Sequence, residues 1–259
     1  NDDHGEPLSQ AGELVNLPVD GSTFAPTSPP VQAGAHQSAS GQHDASGDAA
    51  QPSPAPVLRT KLRQYPNNPL RNPIELISKQ QVEYPDVVGK LVIPGVLEEW
   101  IVQRNNTYYL NHNFRGTSAE GGAVFMDVAC TLDTPPENLH LRGSGSVPGK
   151  TFHPLWQYKT GGSAFGYASP TAHVTTLYEE VEYHLFAVIE ASGDPASSFY
   201  FNYASHPTFA SDAEMMDYMT KARQRSLYAL PTDVQPGDRL LTLSTVSNAA
   251  NDAEKPVCL

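Results

Sequence analysis

Cysteine is scarce in this 259-residue chain, and long apolar runs are missing from it. The two cysteines, Cys130 and Cys258, are too few for a disulfide framework, although the sequence does not exclude a single disulfide bond between them. No stretch approaches the roughly 20 apolar residues that a helix needs to cross a bilayer. No cluster of residues has the spacing of metal ligands, and we expect neither a metal nor another cofactor.

Lysine and arginine are absent from positions 1–57, which hold seven acidic residues among many Ser, Pro, Ala, Gly and Gln. These seven account for more than half of the net charge of −12. Such a composition buries too little apolar surface to offset the entropy of ordering, so we predict an acidic disordered linker over 1–57. Residues 58–259 predict one folded domain. Neither part offers the basic face that nucleic acid requires.

β-Prone stretches separated by turn residues predominate from residue 86 onwards, which predicts a mainly β domain. Alternating or apolar patterns and the flanking Gly and Pro residues set the expected bounds of these strands. The predicted strands cover residues 86–95, 99–103, 138–142, 183–191, 199–203 and 238–246.

A helix signal precedes the first of these strands. Asn72 has the side chain of an N-cap, Pro73 suits the first helical position, and Glu75 stands at the third. The helix is expected to end before Tyr84, which Pro85 follows.

A second helix signal lies late in the chain. Ser211 and Glu214 form a capping box, in which each side chain can bond the backbone N–H near the other residue. The helix that follows is predicted to place its apolar residues on one face, at Met215, Met219 and Ala222.

The predicted strand over 238–246 reads Asp-Arg-Leu-Leu-Thr-Leu-Ser-Thr-Val and follows the turn pair Pro236-Gly237. It resembles the strand that carries the catalytic cysteine of sortases, the cell-wall transpeptidases of Gram-positive bacteria, where the pattern ends Thr-Leu-Ser-Thr-Cys. Segments 86–95, 106–116 and 122–127 resemble class B sortases in the same order. The resemblance implies a closed β-barrel of about eight strands, with N-terminal helices and one helix inserted before the last two strands.

Sortase chemistry, which the resemblance brings with it, uses a cysteine nucleophile, a histidine that transfers protons and an arginine that holds substrate and oxyanion. The cysteine position here is Val246. Counting back from 151–155 gives Ser144 at the histidine position, and Lys255, nine residues after Val246, stands at the arginine position. All three positions are altered together, which favours a naturally degenerate site.

Hydroxyl groups stand next to the missing thiol, at Ser244 and Thr245. With Gly143 these residues are expected to line the groove of a bound peptide. A serine nucleophile needs an adjacent base, and the sequence assigns none to Ser244. Gly143 and Gly145 are expected to leave room for a larger side chain at position 144.

Two histidines flank Ser144 in the sequence, His140 and His153. If Leu139 and Leu141 share one face of their strand, His140 points to the other face. We interpret His140 as a surface or core histidine rather than a catalytic residue.

Three functions stay open at this point. The missing Cys and His favour a class B sortase-like surface protein that is inactive as a transpeptidase and acts as a binding or scaffold module. The alternatives are an active divergent sortase, which cleaves a sorting signal and anchors surface proteins to peptidoglycan, and a purely structural surface domain.

The expected partner is a sorting-signal peptide or a peptidoglycan precursor. The expected location is the extracellular face of the membrane or the cell wall of a Gram-positive bacterium. Membrane contact would need an N-terminal anchor that this sequence lacks, so we expect a fragment or trimmed form.

Overall fold

The computed structural model describes residues 65–70, 72–192, 194–203, 206–246 and 257–258. The linker predicted over 1–57 lies outside these residues, and so does Lys255. Within the described part, no helix has the length and apolar character of a membrane span. The helices are α1 (Glu75–Glu83), α2 (Trp156–Thr160), α3 (Gly162–Ala168) and α4 (Asp212–Arg225). The strands are β1 (Val87–Ile93), β2 (Leu97–Val102), β3 (Val124–Met126), β4 (Asn138–Ser144), β5 (Thr171–Thr176), β6 (Glu180–His184), β7 (Ile189–Glu190), β8 (Leu240–Val246) and β9 (Val257–Cys258).

These strands form one sheet in the order β6-β5-β1-β2-β3-β4-β8-β9-β7. The pairs β2 with β3 and β4 with β8 are parallel, and the other pairs are antiparallel. The two edge strands, β6 and β7, follow each other in the chain and are joined by residues 185–188. A link of that length spans at most about 18 Å, so the sheet curls until its edges approach. The fold is therefore mainly β and nearly a closed barrel, as predicted.

Apolar side chains on the inner face of the sheet form the main core. Leu139, Leu141 and Leu243 belong to it, in agreement with the predicted alternation along β4 and β8. A second cluster lies where α4 packs onto Leu240 at the start of β8. The face of α4 that packs there is the predicted one, with Met215, Met219 and Ala222 buried.

Helix α4 begins at the predicted capping residue. The Ser211 Oγ accepts a hydrogen bond from the Glu214 N–H at 3.2 Å. The Glu214 carboxylate in turn accepts from the N–H of Ala210 at 2.6 Å, one residue before the cap. The first of these bonds satisfies a backbone donor that the first helical turn leaves without a partner.

Helix α1 begins later than predicted. Its N-cap is Ile74 rather than Asn72, and no side chain caps it. The Ile74 N–H donates to the Leu177 carbonyl at 2.6 Å, which holds residue 74 in an extended conformation beside the barrel. A hydrogen bond to a distant residue thus decides this boundary. The helix ends at Glu83, before Tyr84, as predicted.

The single strand predicted over 183–191 is wrong, because β6 and β7 are separate strands at opposite edges of the sheet. Between them, the Leu185 N–H donates to the Pro170 carbonyl at 2.7 Å. The Leu185 carbonyl accepts from the Thr232 hydroxyl at 2.6 Å. The apolar stretch over 183–191 thus passes from one edge of the sheet to the other. Its residue types alone do not show that the strand is interrupted.

The strand predicted over 199–203 is also wrong. The described residues of this segment make one isolated bridge, between Ser192 and Tyr200. Phe201 packs instead against Tyr218 of α4, with ring centroids 5.2 Å apart. The segment therefore covers the outer face of the sheet and adds no strand to it.

Candidate active site

Strands β4 and β8 place the predicted site residues side by side. The two strands are parallel and in register from Asn138 opposite Leu240 to Ser144 opposite Val246. Ser144 and Val246, which the resemblance assigns to histidine and cysteine, are thus neighbours at the carboxyl ends of the two strands. Lys255 lies outside the described residues, so its place relative to this pair stays a prediction.

Ser144 is engaged in a tight turn of the chain. Its Oγ lies 2.6 Å from the Ser146 Oγ and accepts a hydrogen bond from the Ser146 N–H at 3.2 Å. Its carbonyl accepts from the Thr151 hydroxyl at 2.6 Å and from the Phe152 N–H at 3.0 Å. The hydroxyl of Ser144 does not titrate near neutral pH, so position 144 cannot transfer protons as an imidazole does.

Other side chains already occupy the space beside Gly143 and Gly145, contrary to the expectation that these glycines leave room for a larger side chain at position 144. A Cβ on Gly143 would stand 2.8 Å from the Phe152 ring. A Cβ on Gly145 would stand 2.3 Å from the Thr245 Oγ and 2.5 Å from the Trp156 indole nitrogen. Gly143 and Thr245 therefore face the packed side of the two strands, where Thr245 is fully buried.

The opposite face of β4 and β8 carries polar side chains that pair across the strands. The Thr242 hydroxyl donates to the Asn138 Oδ1 at 2.8 Å. Farther along, the His140 Nε2 lies 2.7 Å from the Ser244 Oγ. All four side chains are buried, and both His140 and Ser244 are only 3% exposed.

Asp127, directly after β3, extends this polar cluster. Its Oδ2 lies 3.9 Å from the His140 Nδ1. The same oxygen accepts hydrogen bonds from the Asn106 amide at 3.1 Å and from the Arg142 guanidinium at 3.3 Å. The Tyr203 ring meets the imidazole edge to face, with centroids 5.9 Å apart.

Burial decides the charge of His140. Desolvation lowers the pKa of the imidazole to about 4, because it outweighs the opposing effect of Asp127, and Arg142 lowers this pKa further. The imidazole is therefore neutral at pH 7 and has a nitrogen free to accept a proton.

The base that the sequence did not assign to Ser244 is thus present in the structure. His140 is a core histidine, but its hydroxyl partner lies 104 residues away in the chain. The available signal was the alternation that places both residues on the outer face of their strands. The register between β4 and β8, which brings them together, is invisible in a single sequence.

The side chains of Cys130 and His153 both form hydrogen bonds with backbone groups. Cys130 is a free, buried thiol, whose Sγ accepts from the His140 N–H at 3.4 Å and donates to the Asn138 carbonyl at 3.5 Å. Burial raises the pKa of this thiol, which disfavours a thiolate nucleophile. The His153 Nδ1 accepts from the Gly149 N–H at 3.3 Å. In the described part of the chain, no three His, Cys, Asp or Glu side chains converge as a metal site.

A cavity of about 410 Å³ opens away from these residues, near the start of β8. Its lining includes Leu241 and Leu243 of β8, Tyr183 of β6 and the neighbouring Arg239. Neither Ser144 nor Ser244 lines it. The cavity is therefore separate from the candidate site, and it opens to solvent beside the exposed Asp233 and Asp238.

Comparison with known proteins relates the chain to one group of enzymes. No family model matches the sequence. Sortase B of Listeria monocytogenes serovar 1/2a is 31% identical over 172 residues, which are 66% of this chain and 66% of that protein. The chain thus matches just under two thirds of the length of this relative.

Solved structures agree with this relationship. The structure of sortase B from Listeria monocytogenes has a TM-score of 0.58 at 28% identity, covering 70% of this chain and 95% of that chain. Sortase B from Bacillus anthracis in complex with AAEK1 has a TM-score of 0.61 at 25% identity, covering 75% and 88%. A Staphylococcus aureus sortase B–substrate complex has a TM-score of 0.60 at 20% identity, covering 70% and 81%, and shows likeness of fold alone.

Proposed function

The chain belongs to the class B sortase family, and from that premise we propose that it binds a sorting-signal peptide without carrying out cysteine transpeptidation. The family is associated with the cell surface of Gram-positive bacteria, and we propose that this protein acts there. We further propose that residues 58–259 form the binding domain and that the acidic residues 1–57 are a linker.

One observation carries the proposal: residue 246, at the end of β8, is a valine whose in-register neighbour is Ser144. A valine side chain has no lone pair or acidic hydrogen, so it cannot form an acyl intermediate. Ser144 supplies no imidazole to a leaving amine. The fold that presents these two positions is nevertheless retained, which supports binding as the remaining role.

Peptide binding is the first test of this proposal. A fluorescent Leu-Pro-x-Thr or Asn-Pro-x-Thr peptide, titrated into the full chain, should give saturable anisotropy, and a scrambled peptide should not. Val246→Arg should weaken binding at least tenfold, because it puts a long charged side chain at the proposed binding position. Val82→Arg is the matched control, since Val82 is exposed on α1.

The purely structural alternative makes the opposite prediction. If the folded protein binds neither peptide, or if both arginine variants bind equally well, the peptide-binding proposal is wrong. The domain would then be better explained as a structural module of the surface.

A further inference from the structure

The outer face of β4 and β8 carries reactive groups that the proposed binding function does not use. We propose that Ser244 is a nucleophilic serine, activated by His140 and positioned through Asp127, that accepts the acyl group of an ester or peptide carbonyl. This inference goes beyond peptide binding and does not depend on it, because a small acyl donor suffices to reveal it.

The surroundings of the imidazole determine which atom carries its proton. Apart from the Asp127 carboxylate at 3.9 Å, the His140 Nδ1 has no polar partner among the described residues. A bare Nδ1 lone pair would face that negative charge, whereas a protonated Nδ1 is attracted to it. The Nε2 is therefore the acceptor, and the Ser244 hydroxyl donates to it across 2.7 Å. This is the direction in which a base removes the proton of a serine nucleophile.

The position of these groups along the strands supports the same conclusion. Ser244 precedes position 246 by two residues, and Arg142, the in-register neighbour of Ser244, precedes Ser144 by two residues. His140 lies two residues earlier on the same strand. A spacing of two keeps residues on one face of a strand. A nucleophilic group, an imidazole and a guanidinium-bearing residue thus occur together on this pair of strands, displaced by two to four residues from Val246 and Ser144, two of the three altered positions.

Arg142, the in-register neighbour of the proposed nucleophile, carries a cation on the adjacent strand. Its side chain is 30% exposed, its Nη1 donates to the Asp127 Oδ2, and its guanidinium lies 5.6 Å from the centre of the Phe125 ring. These contacts fix the guanidinium against Asp127 and Phe125, while the backbone of Arg142 is in register with that of Ser244. A held cation can stabilise the negative oxygen that forms when a hydroxyl attacks a carbonyl.

The proposed reaction uses water as its second substrate. The Ser244 Oγ bonds to the acyl carbon while its proton passes to the His140 Nε2, which gives a tetrahedral oxyanion. The bond to the leaving oxygen or nitrogen breaks, and the leaving group takes the proton from His140. Water then attacks the acyl-serine, gives a proton to His140 and releases the acid, after which Ser244 regains its proton.

Small probes test the proposal, since Ser244 is only 3% exposed. Diisopropyl fluorophosphate should modify the full chain once, at Ser244, as mapped by peptide mass spectrometry. The protein should also hydrolyse p-nitrophenyl acetate. Ser244→Ala should abolish both reactions, and Ser78→Ala, which removes a half-buried serine hydroxyl of α1, should leave them unchanged.

The role of the imidazole has its own measurement. His140→Gln should lower the labelling rate about 100-fold or more, the usual contribution of a general base. In the unaltered protein the rate should stay flat from pH 8 down to about pH 5, because burial lowers the pKa of His140 to about 4. Asp127→Asn should reduce the rate and change this pH profile, as expected of a positioning residue.

Two results would overturn the proposal. One is that the folded protein is not labelled at Ser244 by either probe. The other is that folded His140→Gln is labelled at the unaltered rate across this pH range. Should His140→Gln fail to fold, Ser244→Cys replaces it, and its new thiol should react with iodoacetamide faster than the buried Cys130. Equal or slower reaction of the new thiol would count against the proposal.

Discussion

At the scale of single residues, burial governs what the imidazole of His140 can do. The ring is 3% exposed, and one of its nitrogens bonds the Ser244 hydroxyl. A charged imidazole would lose its hydration there, with Asp127 at 3.9 Å as partial compensation. The fold therefore holds His140 neutral, and for this reason the stability of the folded protein is sensitive to acid.

The free energy of unfolding should fall as the pH drops below about 6.5. The pKa of His140 is lowered to about 4 in the folded protein, whereas the ordinary value applies to the unfolded chain. Between these values the unfolded chain takes up a proton that the folded protein refuses. Stability is therefore complete above pH 6.5 and should decrease by about 2 kcal/mol between pH 7 and pH 5. Urea unfolding at both pH values measures this difference.

His140→Gln is the control for this pH effect, since glutamine is polar but does not titrate. The variant should unfold with a smaller difference between the two pH values, whatever its stability at pH 7. The assignment to His140 would be refuted by an equally large difference in the variant. In that case another group, such as an exposed histidine, would be responsible.

At the scale of elements, the start of β8 is tied to the opposite side of the sheet by an ion pair. The Arg239 guanidinium donates two hydrogen bonds to the Glu179 carboxylate, both at 2.8 Å. Glu179 lies between β5 and β6, and Arg239 immediately precedes β8. Bidentate pairs of this kind have defined geometry and are stronger than single hydrogen bonds between neutral groups. The pair helps to place the strand that carries Ser244.

Arg239→Met should lower the free energy of unfolding by about 2 kcal/mol, because it leaves the largely buried Glu179 charge without its partner. Lys79→Ala is the matched control, since the Lys79–Glu75 pair is exposed on α1, with side-chain exposures of 73% and 76%. That variant should change stability by less than about 0.5 kcal/mol. Urea unfolding of both variants checks the prediction, which equal losses would contradict.

At the scale of the whole molecule, the fold brings distant segments of the chain to one place. Ser144 and Val246 are separated by about 100 residues and meet as in-register neighbours. We predict that Lys255 reaches the same place, as the family resemblance implies. If so, restoring three side chains should restore a reaction that no single change restores.

The triple variant Val246→Cys, Ser144→His, Lys255→Arg should cleave a sorting peptide at a measurable rate. Cysteine is close to valine in volume, and arginine binds two acceptors in a plane, which lysine cannot do. Gly143 and Gly145 offer the imidazole no space, so it must displace the contact between Ser144 and Ser146. A fluorogenic peptide assay measures the rate.

Each single variant should stay near background, because such groups act as a unit. The unaltered chain is the reference, so that slow cleavage through Ser244 is not counted as restoration. If the folded triple variant gives no increase over this reference, the binding groove has diverged along with the catalytic residues. Peptide titration of the same variant shows whether affinity has been lost as well.

Local patterns determined a large part of this protein. The capping box at Ser211, the apolar face of α4 and the alternation along β8 are set by residues that are close in sequence, and the structure agrees with them. The resemblance to class B sortases also rests on such short segments. The absence of a thiol at residue 246 and of an imidazole at residue 144 can be read directly from the sequence.

Tertiary structure alone decided the remaining features. The start of α1 depends on a bond to Leu177, and the break between β6 and β7 follows from their places at opposite edges of the sheet. The contact between His140 and Ser244 requires the parallel register of β4 and β8. Helix caps and strand alternation act over a few residues, whereas register across about 100 residues is set by the packing of the whole barrel. For that reason the sequence specified the face on which each of the two side chains lies, and only the folded barrel made them partners.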